Sequence, residues 1–116
     1  MNLYHVMIDL KDDAKALVFA KLLDDWMGYL QGQGKIGEWR LLRRKLGLAS
    51  DSHTDFLLEI EVDGLAQLDE AFRHASAHSD DVDRLYYPVH NLIGRVEVGI
   101  YRPFPDDARA ERVALL

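Results

Sequence analysis

Asp55-Phe56-Leu57-Leu58-Glu59-Ile60-Glu61-Val62 decides the fold. Side chains on a β-strand alternate between its two faces. Phe56, Leu58, Ile60 and Val62 therefore form one wholly apolar face, and Asp55, Leu57, Glu59 and Glu61 form a second with three carboxylates and one leucine. The first face needs a dry layer against it. The second meets water, a polar cavity or another chain. A strand so divided belongs to a sheet that is covered by helices on one side only.

Working outward, residues 36–48 read as a second, long strand in which Trp39, Leu41 and Leu42 are interleaved with Arg40, Arg43, Arg44 and Lys45. Ala49-Ser50-Asp51-Ser52 has turn composition, and so short a connection predicts antiparallel pairing with the central strand. One register sets Arg40 opposite Glu59; a slip of one residue sends Arg43 to that face instead. Leu3–Leu10 alternates as well, with Tyr4, Val6, Ile8 and Leu10 on one side and Leu3, His5, Met7 and Asp9 on the other. In the last strand, Leu92–Tyr101, Val96, Val98 and Ile100 oppose Arg95, Glu97, Gly99 and Tyr101, and Pro103 and Pro105 end it.

Two stretches have helical spacing. Residues 13–30 place Val18, Phe19, Leu22, Trp26 and Tyr29 in one stripe. An aspartate at 12 or 13 can cap the start, and Gly28, Gly32 and Gly34 crowd the end. Residues 64–78 place Leu65, Leu68, Phe72 and Ala75 in another stripe. Ser79–Asp83 reads as a polar break, and 84–91 as a loop or a short helical turn interrupted by Pro88. Residues 106–116 read as a short helical tail with an apolar end, Val113-Ala114-Leu115-Leu116, outside a domain of residues 1–105. The order is βαββαβ. Its economical solution is α+β and ferredoxin-like: a four-stranded antiparallel sheet in the order 4-1-3-2 with two helices on one face.

A chain of 116 residues makes one domain. The net charge of −6 disfavours nonspecific binding to nucleic acid or to an anionic membrane. The absence of cysteine excludes disulfides, thiolate catalysis and Cys-ligated metal centres. No apolar run approaches membrane-spanning length, and the first residues carry no basic segment followed by an apolar one. The expectation is a cytoplasmic protein without nucleic-acid or membrane partners.

Size, element order, the long second strand and the aromatic segment Tyr86-Tyr87-Pro88-Val89-His90 together give a chain that, over residues 2–102, resembles the dimeric α/β-barrel superfamily, which includes antibiotic-biosynthesis-monooxygenase-like and stress-responsive barrel proteins. The resemblance implies a homodimer in which the bare sheet faces of two copies enclose a cavity. Members of that superfamily include cofactor-independent monooxygenases, isomerases, haem-handling enzymes and proteins with no known activity. No family's catalytic residues match positions here, so none is transferred.

The bare face collects His5, Glu59, Glu97 and Tyr101. An imidazole, two carboxylates and a phenol are a set suited to proton abstraction beside a small organic substrate, and burial among like charges would tune it. The competing reading pairs these carboxylates with Arg40 or Arg43 at a dimer interface. Tyr86, Tyr87 and His90, with Arg43, form a candidate ligand-binding group at the cavity mouth. Glu70, His74 and His78 have metal-ligand spacing on a helix, but the stripe lies opposite Leu68 and Phe72, so it reads as a solvated face. No metal or cofactor is expected. Two functions follow: a dimeric barrel that binds or converts a small organic molecule in its cavity, and a non-catalytic dimerising domain whose bare face is only its interface.

Overall fold

In the computed structural model, which describes residues 1–45, 47, 48, 50 and 52–105, the chain runs through β1 (Asn2–Leu10), a 3-10 turn (Asp13–Lys15), α1 (Ala16–Gly32), β2 (Trp39–Arg43), β3 (Phe56–Val62), α2 (Leu65–Ser76), α3 (Asp80–His90) and β4 (Ile93–Tyr101). The four strands form one antiparallel sheet in the order β2-β3-β1-β4. This is the ferredoxin-like α+β arrangement with the expected strand order. The tail 106–116 lies outside the described residues. Among the described residues, no helix is long and apolar enough to cross a membrane.

The alternation of β3 is realised residue by residue. Phe56, Leu58, Ile60 and Val62 are buried, and the residues between them are half-exposed. On β1, Val6, Ile8 and Leu10 join the same core, which α1 completes with Phe19, Leu23, Trp26, Met27 and Leu30. The register resolves the ambiguity of β2: Arg40 stands opposite Glu59, and Trp39 opposite Ile60. Arg43 stands opposite Phe56 and so shares the core side. There its guanidinium lies 5.1 Å from the Phe56 ring centroid and 3.1 Å from the Asp55 carboxylate.

Local chemistry sets the boundaries. Asp12 accepts a bond from the Ala14 amide at 3.0 Å and opens the 3-10 turn ahead of α1. Gly34, at φ 70°, closes α1: its N–H reaches the Gln31 carbonyl and that of Lys35 the Leu30 carbonyl. These two bonds are the Schellman pattern, whose left-handed residue favours glycine.

Several expectations are corrected. β2 spans five residues rather than the long stretch from 36 to 48. Gly37 and Glu38 already bond to Glu61, but outside a regular ladder. The buried stripe of α1 is rotated about its axis, so that Val18 is exposed while Leu23, Met27 and Leu30 are buried. In α2 only Ala71 is buried, and Leu65 and Phe72 are exposed. Residues 80–90 form a third helix rather than a polar break and a loop. Ser79 caps it through the Val82 amide, Asp80, Asp81 and Asp83 favour its positive end, and Val82 and Val89 anchor it in the core. Pro88 lies inside the last turn and removes one amide bond, a cost that the burial of Val82 and Val89 outweighs. Finally, Val96, Val98 and Ile100 do share the helix side, opposite Ile8, Val6 and Tyr4. They are nonetheless 52%, 61% and 43% exposed, because β4 is an edge strand lying beyond the helix layer.

Candidate functional site

The bare face of the sheet brings most of the expected polar set into one area. His5 stands opposite Glu59 on β3 and Gly99 on β4. The rings of His5 and Tyr101 lie 5.4 Å apart. Glu97 is one pair further along, opposite Met7. Both carboxylates are held by arginines: Arg40 reaches Glu59 at 2.8 Å, and Arg95 reaches Glu97 at 2.7 Å. The Glu59 side chain is only 15% exposed, so this pair is partly shielded from water. A shallow recess of about 350 Å³ adjoins it, lined by Leu3, Glu38, Trp39, Arg40, Glu59 and Glu61. Arg40 pairs with one of the three glutamates lining this recess, Glu59, so with Glu38 and Glu61 it is open and net negative.

A second cavity lies on the other side of the sheet and was not legible in the sequence. It is a partly open, largely apolar cleft of about 380 Å³ between α2, α1 and the sheet. Tyr4 and Ile60 form its floor, Trp26, Met27 and Leu30 one wall, and Leu68, Ala71, Phe72 and Ala75 the other. The space exists because α2 turns alanines toward the core, where its neighbours carry large side chains. Tyr4 and Phe72 meet edge to face at 5.8 Å, and burial pushes the Tyr4 phenol above its ordinary value. Ser76, His78 and Tyr86 supply the polar groups.

His78 is the distinctive one. It follows the end of α2 with φ 52°, the left-handed region that a residue with a side chain seldom occupies. Its Nδ1 lies 3.5 Å from the Asp83 carboxylate. The left-handed residue stands just past the C-cap Ala77 and ends α2, as Gly34 ends α1. Beside the cavity runs a row of five rings. His74 stacks on Tyr29 and bonds to its hydroxyl at 2.8 Å; Tyr29 stacks on Trp26; Trp26 meets Tyr86; and Tyr86 stacks on His90, with 3.3 Å between hydroxyl and Nδ1.

The expected ligand group is therefore divided. Tyr86 lines the cavity, His90 and Tyr87 support its ring, and Arg43 is engaged by Asp55 and Phe56. The half-buried His74 is not on a solvated face, since Tyr29 holds it. Glu70, His74 and His78 do not converge: their partners are Lys35, Tyr29 and Asp83 respectively. Among the described residues no three His, Cys, Asp or Glu side chains could hold a metal together. The residues missed were Tyr4, Phe72 and His78. The available signal was the Ser79 cap followed by Val82, Tyr86 and Val89 at i, i+4 and i+7, which marks a helix facing the core.

A sequence model described as a family of unknown function, DUF6614, matches residues 1–116. No curated protein matches the chain. Solved structures of the same shape include the Arabidopsis thaliana protein At3g17210, at 9% identity and TM-score 0.68, covering 89% of this chain and 95% of that one. A dimeric ferredoxin-like protein of unknown function from Jannaschia sp. matches at 14% identity and TM-score 0.63, covering 89% of this chain and 100% of that one. A DABB family protein with a ferredoxin-like fold from Mesorhizobium loti matches at 20% identity and TM-score 0.59, covering 88% and 95%. At such identities the likeness is one of fold.

Proposed function

We propose that this chain, which belongs to the family of unknown function DUF6614, binds one small, largely apolar molecule in the cavity between its helices and its sheet, and does so as a homodimer joined through the bare sheet face. The observation that carries the reading is the 380 Å³ space walled by aliphatic and aromatic side chains with three polar groups, Ser76, His78 and Tyr86, at its edge. Ligand sites have this composition: mostly apolar walls, a few polar groups that fix orientation, and volumes of roughly 300–1,000 Å³. A planar or alicyclic compound bearing one or two oxygens fits this set. Its ring system would rest among Trp26, Tyr4 and Phe72, and its oxygen would face His78 or the Tyr86 hydroxyl. No Asp, Glu, Lys or Arg side chain lines the cavity, so a strongly ionic ligand would be desolvated without compensation.

The dimer rests on the other face. Leu3, Met7 and Leu57 are half-buried apolar residues there, and Tyr101 is 60% exposed. Around them Glu59 and Glu97 are paired with Arg40 and Arg95. That mixture suits an interface better than open water. The Jannaschia protein is described as dimeric, which supports a homodimer. In this reading His5, Glu59, Glu97 and Tyr101 serve the interface rather than catalysis, and Tyr86, with His90 behind it, serves the ligand.

The test is a fluorescence titration with N-phenyl-1-naphthylamine, a neutral apolar probe, following energy transfer from Trp26 in a chain carrying Trp39→Phe, because Trp39 lines the recess on the bare face. Saturable binding of one probe per chain is expected. Ala75→Phe, which fills the cavity from α2, should abolish it while leaving far-UV circular dichroism and the sedimentation coefficient unchanged. Unsaturable binding, or saturable binding indifferent to Ala75→Phe, would remove the cavity as the site.

A further inference from the structure

We propose that the Tyr4 hydroxyl donates a hydrogen bond to the molecule held in the helix–sheet cavity, and that this molecule is a neutral carbonyl compound, with an acceptor oxygen and no proton at that end. The inference rests on the cavity as a binding site and names the class of its ligand. Tyr4 stands on the core face of β1, opposite Ile60 on β3 and Ile100 on β4. Side chains there rise roughly perpendicular to the sheet, so the ring forms the cavity floor and the hydroxyl is carried toward the helix layer. Edge-to-face contact with Phe72 at 5.8 Å orients the ring. Among the described residues, none hydrogen-bonds to that hydroxyl. Burial pushes the phenol above its ordinary value, so the group stays protonated and remains a donor at neutral pH.

The other polar groups of the cavity are placed differently. The Tyr86 hydroxyl is engaged with His90 Nδ1 at 3.3 Å. His78 is turned toward Asp83 and, like Ser76, is exposed, so water can serve both. Tyr4 is half-buried, with Ile60, Met27 and Phe72 lining the same space. A ligand that displaces water there must supply an acceptor or leave the hydroxyl unpaired at a cost. The chemistry of the occupant follows from that demand. A carboxylate accepts, but no arginine or lysine lines the cavity to offset its charge. An alcohol accepts as well, but its own proton is then left against apolar walls. A ketone, ester or quinone oxygen accepts and brings no donor with it.

The test compares two ligands of one shape in the Trp39→Phe chain, with and without Tyr4→Phe. They are 2-acetylnaphthalene and 2-isopropenylnaphthalene, in which a methylene group replaces the carbonyl oxygen. Each is titrated against bound N-phenyl-1-naphthylamine. Tyr4→Phe keeps the ring and its contact with Phe72, so it should weaken the ketone roughly two- to tenfold relative to the hydrocarbon. The infrared carbonyl band of the bound ketone, which lies lower when its oxygen accepts a hydrogen bond, should move to higher frequency in the same variant. An equal change for both ligands, or an unmoved carbonyl band, overturns the proposal. So does a probe that binds saturably but is not displaced by the ketone, while the cavity itself stands. If the probe does not bind saturably at all, the cavity reading falls and this inference falls with it.

Discussion

Replacing Ala71 by leucine decides whether the helix–sheet cavity is real space. Ala71 is 7% exposed and lines the cavity on α2. Leucine adds three carbons at that wall. If they enter empty volume, each contributes about 0.8 kcal/mol of apolar burial, or about 2.4 kcal/mol in all. Fixing the new side chain costs about 0.5–1 kcal/mol of rotamer entropy, which leaves a gain of roughly 1.5 kcal/mol. For a domain of this size that raises Tm by about 6 °C. If the wall were already packed at ordinary density, the same substitution would cost about 1–3 kcal/mol and Tm would fall. The sign is the readout. Scanning calorimetry on the two proteins, without ligand and at matched concentration because a dimer's Tm depends on concentration, gives it in one comparison. A lower Tm with unchanged circular dichroism would refute the cavity.

His78→Gly should relieve the left-handed strain at φ 52° and stabilise the chain by about 1 kcal/mol in urea titration. It should also weaken binding of oxygen-bearing ligands, and a destabilised variant would mean that the imidazole contacts outweigh the strain. Arg40→Ala removes a cation that is 67% exposed, so folding stability should change by less than about 1 kcal/mol. Dimer dissociation measured by sedimentation should rise more clearly and lose part of its salt dependence; an unaltered dimer would exclude the bare face as the interface. Tyr4 has a folded-state phenol pushed up by burial, so its contribution is intact below the ordinary value near 10 and is lost as pH climbs above it, since the unfolded chain ionises first. Tyr4→Phe should flatten the alkaline decline in Tm between pH 9 and 11, and an unchanged slope would show that Tyr4 does not report on the cavity floor.

Period-two alternation was enough to divide Asp55–Val62 and Leu3–Leu10 into a core face and a bare face, because the pleat leaves a strand no other way to sort its side chains. The same local logic placed a cap at Asp12 or Asp13 ahead of α1 and the helix end near Gly34, since capping depends on a few neighbouring residues. From the strand faces and the short connections, the order β2-β3-β1-β4 followed. What local rules do not contain had to come from the assembled chain. The pairing of Arg40 with Glu59 is a choice of register that both faces of β2 would tolerate. Pro88 reads locally as a break, and only the burial of Val82 and Val89 against α1 and the sheet outweighs it to form α3. Exposure of Val96, Val98 and Ile100 is a matter of how far the helix layer extends, which no strand pattern records. The cavity, too, arises from where Ala71 and Ala75 fall relative to Trp26 and Tyr4. Small residues on a helix signal close packing and empty space equally, and only the distance between α2 and the sheet separates the two.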